Sequence, residues 1–410
     1  MLKYNYQIAL VIIGLAVIAL LDELFQLRNQ HIIFPDSDNY REAGEFLYHH
    51  FKPHYYRPFG MALIFGLPYL LGFGDAAVYD FSFWVNVSAW IASALLIFSF
   101  CRKRLPDSKA FIVSVLFYGL ISPALINFHL LTESIFVFLM FSAMTFLDDY
   151  FRIKSFRLLS LALAILIFTA LIKPGMFFFS LLVLAFFSRS ILRHLSKPAS
   201  GFIFFSIVLL VFQMIQMKRE YGNFTISYID GVTYYNYLGS KAEAFEKNQD
   251  PIAAIRQRSD YIFGFSYPQQ KIIARKDLHR QINHNTPNLI KAYFSNIVYN
   301  ATCGGDFSYV RSPNTRFSEL IKTNAGRFSK YQNIFLTVLG IFLSVTFLLK
   351  TFRKPTVYSF ISVFILYIIA VSGVSYYQAD RFHMVIFPFV LVLAVALYSG
   401  RLHQSKNQPS

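Results

Sequence analysis

Residues 158–187 have the sequence LLSLALAILIFTALIKPGMFFFSLLVLAFF, and this run decides the class of fold. A helix needs about 20 apolar residues to cross a bilayer, so the apolar stretch around this run is far too long for a single crossing. Lys173, Pro174 and Gly175 interrupt it, and proline and glycine together end a helix. The stretch therefore predicts two membrane helices joined by a tight connection.

The composition of the whole chain points the same way. The 410 residues are 55% hydrophobic and 18% aromatic, and only 15% are charged, which excludes an ordinary soluble domain. A formal net charge of +16 would suggest nucleic-acid binding in a soluble protein. In this chain the basic residues lie mainly between apolar runs, where they orient helices. The expected partner is therefore the lipid bilayer and not a nucleic acid.

Apolar runs bounded by charges and turn residues predict about ten membrane spans. They lie near residues 5–25, 81–100, 110–127, 131–147, 156–172, 174–191, 201–217, 332–349, 356–374 and 384–399. The first run lacks a small-residue cleavage motif and is followed directly by Asp22 and Glu23, which is typical of a retained signal anchor. We expect an all-α polytopic membrane protein with a single embedded domain over residues 1–410.

Basic residues collect in alternate connections between these spans. With a cytoplasmic N-terminus, the cytoplasmic segments contain Lys3, Arg102, Lys103, Arg104, Lys109, Arg152, Lys154, Arg157, Arg189, Arg193, Lys197, Lys350, Arg353, Lys354, Arg401 and Lys406. The short connections on the other side contain Lys173 and Arg381. Because lysine and arginine are retained on the cytoplasmic side, both termini are predicted to be cytoplasmic. Cys101 then lies inside and Cys303 outside, so they cannot form a disulfide.

Two long segments are consequently predicted outside the membrane, at about 28–80 and 218–331. In the first, residues 59–73 are apolar but too short for a span, so we expect a helix in the membrane interface. In the second, apolar positions recur at helical spacing over residues 270–299 and are broken by Pro287, which predicts two short amphipathic helices.

The sequence PDSDNY, residues 35–40, follows the first span on the outer side and carries two carboxylates, Asp36 and Asp38. Such a pair can belong to a solvated loop that caps a helix beginning near Asn39. Alternatively, a carboxylate in a partly desolvated pocket can take a proton from an attacking hydroxyl group, and a like-charged neighbour raises its pKa toward the working range. The residues alone leave both interpretations open.

Glu133 is a second acidic residue with two interpretations, because it lies at the outer end of the fourth span, within LLTES. An ionisable group beside bilayer depth usually faces a cavity and a partner. A glutamate in the first turn of a helix is also favoured by the helix dipole. By contrast, Asp148 and Asp149 are predicted on the cytoplasmic side, where we expect them only to solvate a turn.

Three cations are predicted beside the outer leaflet. Lys173 and Arg381 lie at the outer ends of spans, and Arg57 opens the interfacial segment in YYRPFG. Each is most simply an interface anchor with its charge in water. Together they could bind a phosphate at the membrane surface, which a single anchor could not. That combination would suit the phosphate of a lipid.

Motifs for other chemistries are missing from the sequence. The run HHFKPHYYRP contains His49, His50 and His54, but their spacing matches no strong metal-ligand motif. The chain has no glycine-rich phosphate loop, no cysteine and histidine pattern of known metal spacing and no nucleophile elbow. The sequence therefore predicts no metal and no other cofactor.

The order of these features resembles the GT-C glycosyltransferases. Within that group the chain looks like the branch of protein O-mannosyltransferases and bacterial lipid A aminoarabinose transferases, which use sugars linked to polyprenyl phosphate. The matching motifs are Asp36 four residues before Tyr40, RPFG before an apolar segment, Glu133 opening the fourth span, Lys173 with Pro174, and DRFHMVIFP at 380–388. The resemblance covers the order of elements over about residues 1–190 well and the remainder loosely.

The resemblance implies roles for individual residues. Asp36 is then the first candidate for the catalytic base, and Asp38 is the second candidate. Glu133 is the other acidic residue of the site. Arg57, Lys173 and Arg381 are candidate contacts to the lipid phosphate. The second outer segment is too short for the large soluble domain that some members carry, so the resemblance does not indicate the acceptor.

The function predicted from these features is inverting transfer of a sugar from a polyprenyl-phosphate donor to a glycan, lipid or protein acceptor of the cell envelope. The expected location is the outer face of a bacterial inner membrane. One alternative is a transporter or flippase of lipid-linked sugars, which would also need outer carboxylates and phosphate contacts. Another is a polymerase that joins lipid-linked oligosaccharides.

Overall fold

A computed structural model describes residues 2–28, 34–305, 316–376 and 378–406, and all regular structure in these ranges is helical. The all-α class is therefore confirmed. Residues 29–33 of the first predicted outer segment and 306–315 of the second lie outside the described residues. The α-helices, in chain order, are α1 Leu2–Phe25, α2 Pro35–His50, α3 Phe59–Phe65, α4 Leu67–Leu70, α5 Asp75–Cys101, α6 Asp107–Tyr118, α7 Ile121–Leu125, α8 Glu133–Ile153, α9 Phe156–Thr169, α10 Phe177–Arg193, α11 Ser200–Tyr221, α12 Ile229–Thr233, α13 Ser240–Lys247, α14 Pro251–Phe263, α15 Tyr267–His284, α16 Thr286–Thr302, α17 Arg316–Thr351, α18 Val357–Ser372 and α19 Phe387–Lys406.

Several of these helices are long and apolar enough to cross a membrane, so the protein is a multi-pass membrane protein. In the described part of the chain they are Asn5–Phe25, Asp75–Cys101, Glu133–Ile153, Pro174–Arg193, Ser200–Tyr221 and Arg316–Thr351. A bent pair, α6 with the helical stretch Ile121–Phe128, adds a seventh if it is counted as one span. Three shorter apolar helices, Phe156–Thr169, Val357–Ser372 and Met384–Ser399, coincide with the other predicted spans.

The predicted span at 110–127 is wrong as a single straight helix. Its two halves, Asp107–Tyr118 and Ile121–Phe128, meet at an angle of 70°. Pro123 has no N–H to donate to the Gly119 carbonyl, so a continuous helix would lose a hydrogen bond at this point. Gln332 on α17 replaces it, because Nε2 donates to the Gly119 carbonyl at 2.8 Å and Oε1 accepts from the Ile121 N–H at 3.1 Å.

The span predicted at 332–349 belongs to a much longer helix. Helix α17 contains 36 residues. At 1.5 Å per residue it is about 54 Å long, whereas the hydrocarbon core is about 30 Å thick. Hydropathy detects only the apolar half, because residues 316–331 are polar. The helix nevertheless extends through them, since they contain no proline to end it.

The core lies where α8 packs between α5 and α9 and against α18. Its largest fully buried side chains include Trp90, Phe98, Phe136 and Phe364. Cys101 is also buried there, and both it and Cys303 are free thiols.

Asp148 does not solvate a turn, contrary to the sequence-based expectation. Its side chain is 5% exposed and accepts a hydrogen bond from Nη2 of Arg104. Asp149 is the more exposed of the two carboxylates and binds Lys103 Nζ at 2.6 Å. The cause is that α8 continues to Ile153, six residues beyond its predicted end at 147, so Asp148 lies on a helix face that packs against the end of α5.

The segments predicted to lie outside the membrane contain helices, in agreement with their apolar patterns. The stretch at 59–73 forms the short helices α3 and α4. The two amphipathic helices predicted over 270–299 are α15 and α16, and they are broken at Asn285, just before Pro287. Ahead of them, residues Tyr234–Gly239 form a turn of π-helix.

Candidate functional site

Five charged side chains meet at one end of the helical bundle, although they come from five separate stretches of the chain. They form a continuous series of ion pairs in which each group bonds to the next: Lys173, Glu133, Arg381, Asp36 and Arg57. The structure thus brings together five of the six site residues predicted from the sequence.

Asp36 lies at the start of α2, which begins at Pro35 and not near Asn39 as the sequence suggested. Proline is well suited to the first position of a helix, because its fixed φ is helical and its missing N–H would have no partner there. Each carboxylate oxygen of Asp36 has a different partner. Arg57 Nη2 donates to Oδ1 at 2.7 Å, and Arg381 Nη1 donates to Oδ2 at 2.5 Å.

These two arginines determine the charge of Asp36. Burial alone would raise the pKa of the Asp36 carboxyl group, but the guanidinium groups of Arg57 and Arg381 outweigh it and hold that pKa well below its ordinary value. The prediction that a like-charged neighbour raises this pKa is not supported by the structure. With these partners in place, Asp36 is an ionised carboxylate and a weak base.

Glu133 is the most deeply buried member of the series, at 1% exposure. Its Oε1 accepts from Arg381 Nε at 2.7 Å and from Lys173 Nζ at 2.8 Å. Its Oε2 is buried and has no hydrogen-bond partner among the described residues. Glu133 therefore joins the cation between α9 and α10 to the cation that precedes α19.

The cations keep donors that these bonds do not use. Nε of Arg57 is buried and has no acceptor among the described residues. Arg381 uses Nε and Nη1, which leaves Nη2, and Lys173 uses one of its three N–H groups. Three positive charges face two negative ones, so the site has a net charge of +1. It also has N–H groups that are not used in hydrogen bonds. This combination suits an anion with several oxygens, such as a phosphate.

Asp38 lies apart from this series. It is exposed, and its Oδ1 accepts a hydrogen bond from the Tyr79 hydroxyl at 3.1 Å. Residues two apart on a helix point to different faces. The structure therefore does not bring the two carboxylates of PDSDNY into one site.

His54 supports the site in a way that the sequence did not reveal. Its Nδ1 accepts the backbone N–H groups of Tyr56 at 3.2 Å and Arg57 at 3.1 Å, and its Nε2 faces Glu42 at 3.4 Å. Burial, together with the nearby Arg57 charge, lowers the pKa of His54 to about 3. A neutral imidazole thus fixes the backbone from which Arg57 reaches Asp36.

Two unusual backbone features lie close in sequence or space to the cations. A Cβ atom on Gly60 would lie 2.6 Å from the Leu171 carbonyl oxygen, so only glycine lets α3 approach the connection that carries Lys173. Ala379, two residues before Arg381, has φ of 50°, a left-handed conformation that is rare outside glycine. Such backbone strain persists where the surrounding structure imposes it.

No cluster of three His, Cys, Asp or Glu side chains that could hold a metal ion occurs in the described ranges. His49 packs against Tyr69, and His54 makes the backbone contacts given above.

No protein-family model matches the chain, and no curated protein matches it. Among solved structures, the chain is similar to the archaeal oligosaccharyltransferase AglB from Archaeoglobus fulgidus, determined in complex with an inhibitory peptide and a dolichol-phosphate. The TM-score is 0.45 and the sequence identity is 14%, over 98% of this chain and 51% of that one. The chain therefore spans about half the length of that protein.

Proposed function

We propose that the protein is an inverting membrane glycosyltransferase, which moves a sugar from a polyprenyl-phosphate donor to a hydroxyl group of a cell-envelope acceptor. The observation that carries the proposal is the series of ion pairs through Lys173, Glu133, Arg381, Asp36 and Arg57. It brings the Asp36 carboxylate together with three cations that have unused N–H donors, at the end of an apolar helical bundle. This is what a lipid phosphate and an attacking hydroxyl group would need.

In the proposed reaction the cations act on the leaving group. The acceptor oxygen attacks the anomeric carbon as the bond from that carbon to the phosphate oxygen breaks, so the configuration inverts. Charge develops on the departing polyprenyl phosphate. Arg57, Lys173 and Arg381 stabilise this charge more strongly than water would, because they are already in place and largely shielded from solvent.

Asp36 accepts the proton that the acceptor loses. In the free protein its two oxygens are held by Arg57 and Arg381, the same groups that are proposed to bind the phosphate. A bound phosphate therefore competes with Asp36 for these donors. As the arginines turn toward the phosphate, the proton affinity of Asp36 rises, and the base becomes active only when the donor is present.

The proposal includes a topology and a location. The ten spans, the cytoplasmic termini, the outer segments at 28–80 and 218–331, and a single domain over 1–410 put the ion pairs on the extracytoplasmic side of a bacterial inner membrane. The basic residues at the opposite ends of the helices support this orientation. Within the glycosyltransferases, we propose the branch that uses polyprenyl-phosphate sugars, as in O-mannosyl and aminoarabinose transfer.

One experiment separates this function from its rivals. Purified protein in lipid vesicles is supplied with a polyprenyl-phosphate sugar that carries a labelled sugar. Label on a new acceptor supports transfer, label that only changes leaflet supports a flippase, and a growing lipid-linked oligosaccharide supports a polymerase.

The matched variants Asp36→Asn and Asp38→Asn test the base. We expect Asp36→Asn to lower transfer at least about 100-fold, the lower end of what a general base contributes. Asp38→Asn should remain within a few-fold of the wild type, because its carboxylate contacts Tyr79 and not the arginines. If both variants are stably expressed and retain full transfer, the assignment of Asp36 is wrong.

A further inference from the structure

Helix α16 carries two buried asparagines on one face. Asn296 and Asn300 are 0% exposed, and residues four apart on a helix lie beside each other. Buried amide groups need hydrogen-bond partners inside the protein. Both asparagines find theirs at residues 372–375, where α18 ends and the connection to Arg381 begins. We call this connection, residues 373–380, the strap.

The two asparagines bind carbonyl groups that α18 leaves open. The last carbonyl groups of a helix have no partner within the helix itself. Asn296 Nδ2 donates to the Gly373 carbonyl at 3.0 Å. Asn300 Nδ2 donates to the carbonyls of Ser372 at 2.9 Å and Ser375 at 3.0 Å. Helix α16 therefore fixes the point at which the strap begins.

Helix α13 adds a buried cation to the contacts of the strap. Lys241 is 5% exposed, and no carboxylate lies within ion-pair distance of it in the described part of the chain. Its Nζ donates to Asn296 Oδ1 at 3.0 Å and lies 4.0 Å from the centre of the Tyr376 ring. A desolvated cation is attracted to the face of an aromatic ring. Lys241 thus holds the strap directly through Tyr376 and indirectly through Asn296.

The strap takes its conformation from contacts of this kind, since its described residues belong to no helix. Gln378 Nε2 donates at 3.2 Å to the hydroxyl of Tyr237, which lies four residues before Lys241. Ala379 has φ of 50°, and strained backbone persists where the surrounding structure imposes it. Arg381 follows two residues later. Contacts along the strap therefore determine where its guanidinium group can reach.

We propose that four side chains act as a clamp on the strap, and that this clamp holds Arg381 in the position in which it binds the phosphate of the donor. The four are Tyr237, Lys241, Asn296 and Asn300. They are positioning residues, because they act on the phosphate only through Arg381. This inference rests on the proposed function. It gives the segment at 218–331 a role in phosphate binding, although none of the five side chains in the series of ion pairs belongs to that segment.

The test compares two lysines that both connect α13 with α16. Lys241→Met keeps the length of the side chain and removes the charge that holds the strap. Lys291→Met is the matched control, because Lys291 is exposed and lies 4.6 Å from the centre of the Phe245 ring, and it makes no contact with the strap within the described ranges. Bare polyprenyl phosphate is titrated against each full-length variant in lipid nanodiscs.

We expect Lys241→Met to bind bare polyprenyl phosphate about three- to tenfold more weakly than the wild type, because binding must then also order the Arg381 side chain. Lys291→Met should bind this lipid as the wild type does. Lys241→Arg keeps a charge over the Tyr376 ring and should restore most of the affinity. A variant that was only less stable would contain fewer folded molecules, which changes the stoichiometry of binding and not the Kd.

Asn296→Leu tests the clamp without a change of charge. It removes the hydrogen bonds to Lys241 and to the Gly373 carbonyl, and it should weaken lipid binding by a similar factor. Hydrogen exchange of the peptide 371–386 measures directly whether the strap has loosened. We expect faster exchange in Asn296→Leu and Lys241→Met, and unchanged exchange in the control.

The outcomes distinguish the clamp from the proposed function. If the wild type binds bare polyprenyl phosphate, and either the exchange or the affinity is unchanged in both Lys241→Met and Asn296→Leu, the clamp is refuted and the phosphate site stands. An equal loss of affinity in Lys291→Met also refutes the clamp. If the wild type does not bind the lipid, the proposed function fails and the role of the clamp fails with it. Size-exclusion profiles identical to the wild type establish that each variant is folded.

Discussion

Glu133 and Arg381 are 248 positions apart in the chain and form a buried ion pair, with Arg381 Nε 2.7 Å from Glu133 Oε1. Arg381 is the only side chain that contacts both carboxylates of the series, Asp36 and Glu133, in the described part of the chain. Its orientation therefore depends on Glu133, which is 1% exposed and fixed at the start of α8.

Glu133→Gln should separate phosphate binding from catalysis. The amide keeps an oxygen that can accept from Arg381, but the site loses one of its two negative charges. Bare polyprenyl phosphate should then bind as tightly as in the wild type or more tightly. Transfer should fall at least about tenfold, because a small misplacement of Arg381 costs up to about 100-fold in rate. Glu45→Gln on α2 is the control, since Glu45 pairs only with Arg41 in the described structure. Much weaker binding of polyprenyl phosphate in Glu133→Gln would contradict this separation and would mean that the Glu133 carboxylate is needed for phosphate binding itself.

The pH dependence of transfer should show that binding of the polyprenyl-phosphate sugar activates Asp36 as a base. In the free protein, Arg57 and Arg381 outweigh burial and hold the pKa of Asp36 below its ordinary value. The acid limb of kcat/KM, which reports the free enzyme, should therefore lie at low pH. The acid limb of kcat reports the complex, in which the phosphate shares the arginines, and should lie at higher pH. Coincident acid limbs would show that Asp36 keeps both partners throughout the reaction.

The residue types of the site could be predicted from the sequence, but not which of them pair. Charged groups beside a bilayer must find partners, so Asp36, Glu133, Arg57, Lys173 and Arg381 are conspicuous in an apolar chain. Their convergence is a tertiary property, since the residues of the Asp36 and Arg381 pair are 345 positions apart.

The prominence of Asp38 in the sequence-based prediction has a specific physical cause. If the helix begins near Asn39, both aspartates lie in a loop and can face the same pocket. Because α2 begins at Pro35, they lie two residues apart on a helix and diverge. The sequence presents His54 only as one of three histidines without a metal-binding spacing, because its bonds to the Tyr56 and Arg57 backbone N–H groups exist only in the folded chain.

His54 should make stability depend on pH. Its side chain is 0% exposed, it stacks on Tyr55, and Glu42 and Arg57 are the charged groups that face it. Burial lowers its pKa to about 3 in the folded protein, from about 6.5 in the unfolded chain. Its contribution is therefore complete above pH of about 6.5 and is lost as the pH falls toward 3, by at most about 1.4 kcal/mol per pH unit.

The His54→Asn variant isolates this contribution. The asparagine Oδ1 can replace Nδ1 as the acceptor for the Tyr56 and Arg57 N–H groups, but it does not titrate. Thermal unfolding in detergent between pH 7 and 5 should show a smaller loss of stability in His54→Asn than in the wild type. Identical slopes for the two proteins would exclude His54 as the titrating group. His54→Ala, which leaves both N–H groups without an acceptor, should be less stable than His54→Asn at pH 7.

Asp148 and Asp149 should differ sharply in their effect on stability, although they are adjacent in sequence. Asp148→Ala leaves the partly buried Arg104 without its carboxylate partner, and removing one member of a buried ion pair costs about 3 kcal/mol or more. Asp149→Ala removes a more exposed partner of Lys103 and should cost about 1 kcal/mol or less. Thermal unfolding measures both changes, and equal losses would contradict the buried role of Asp148. Because this pair lies at the opposite end of α8 from Glu133, neither variant should change the affinity for polyprenyl phosphate once the protein is folded.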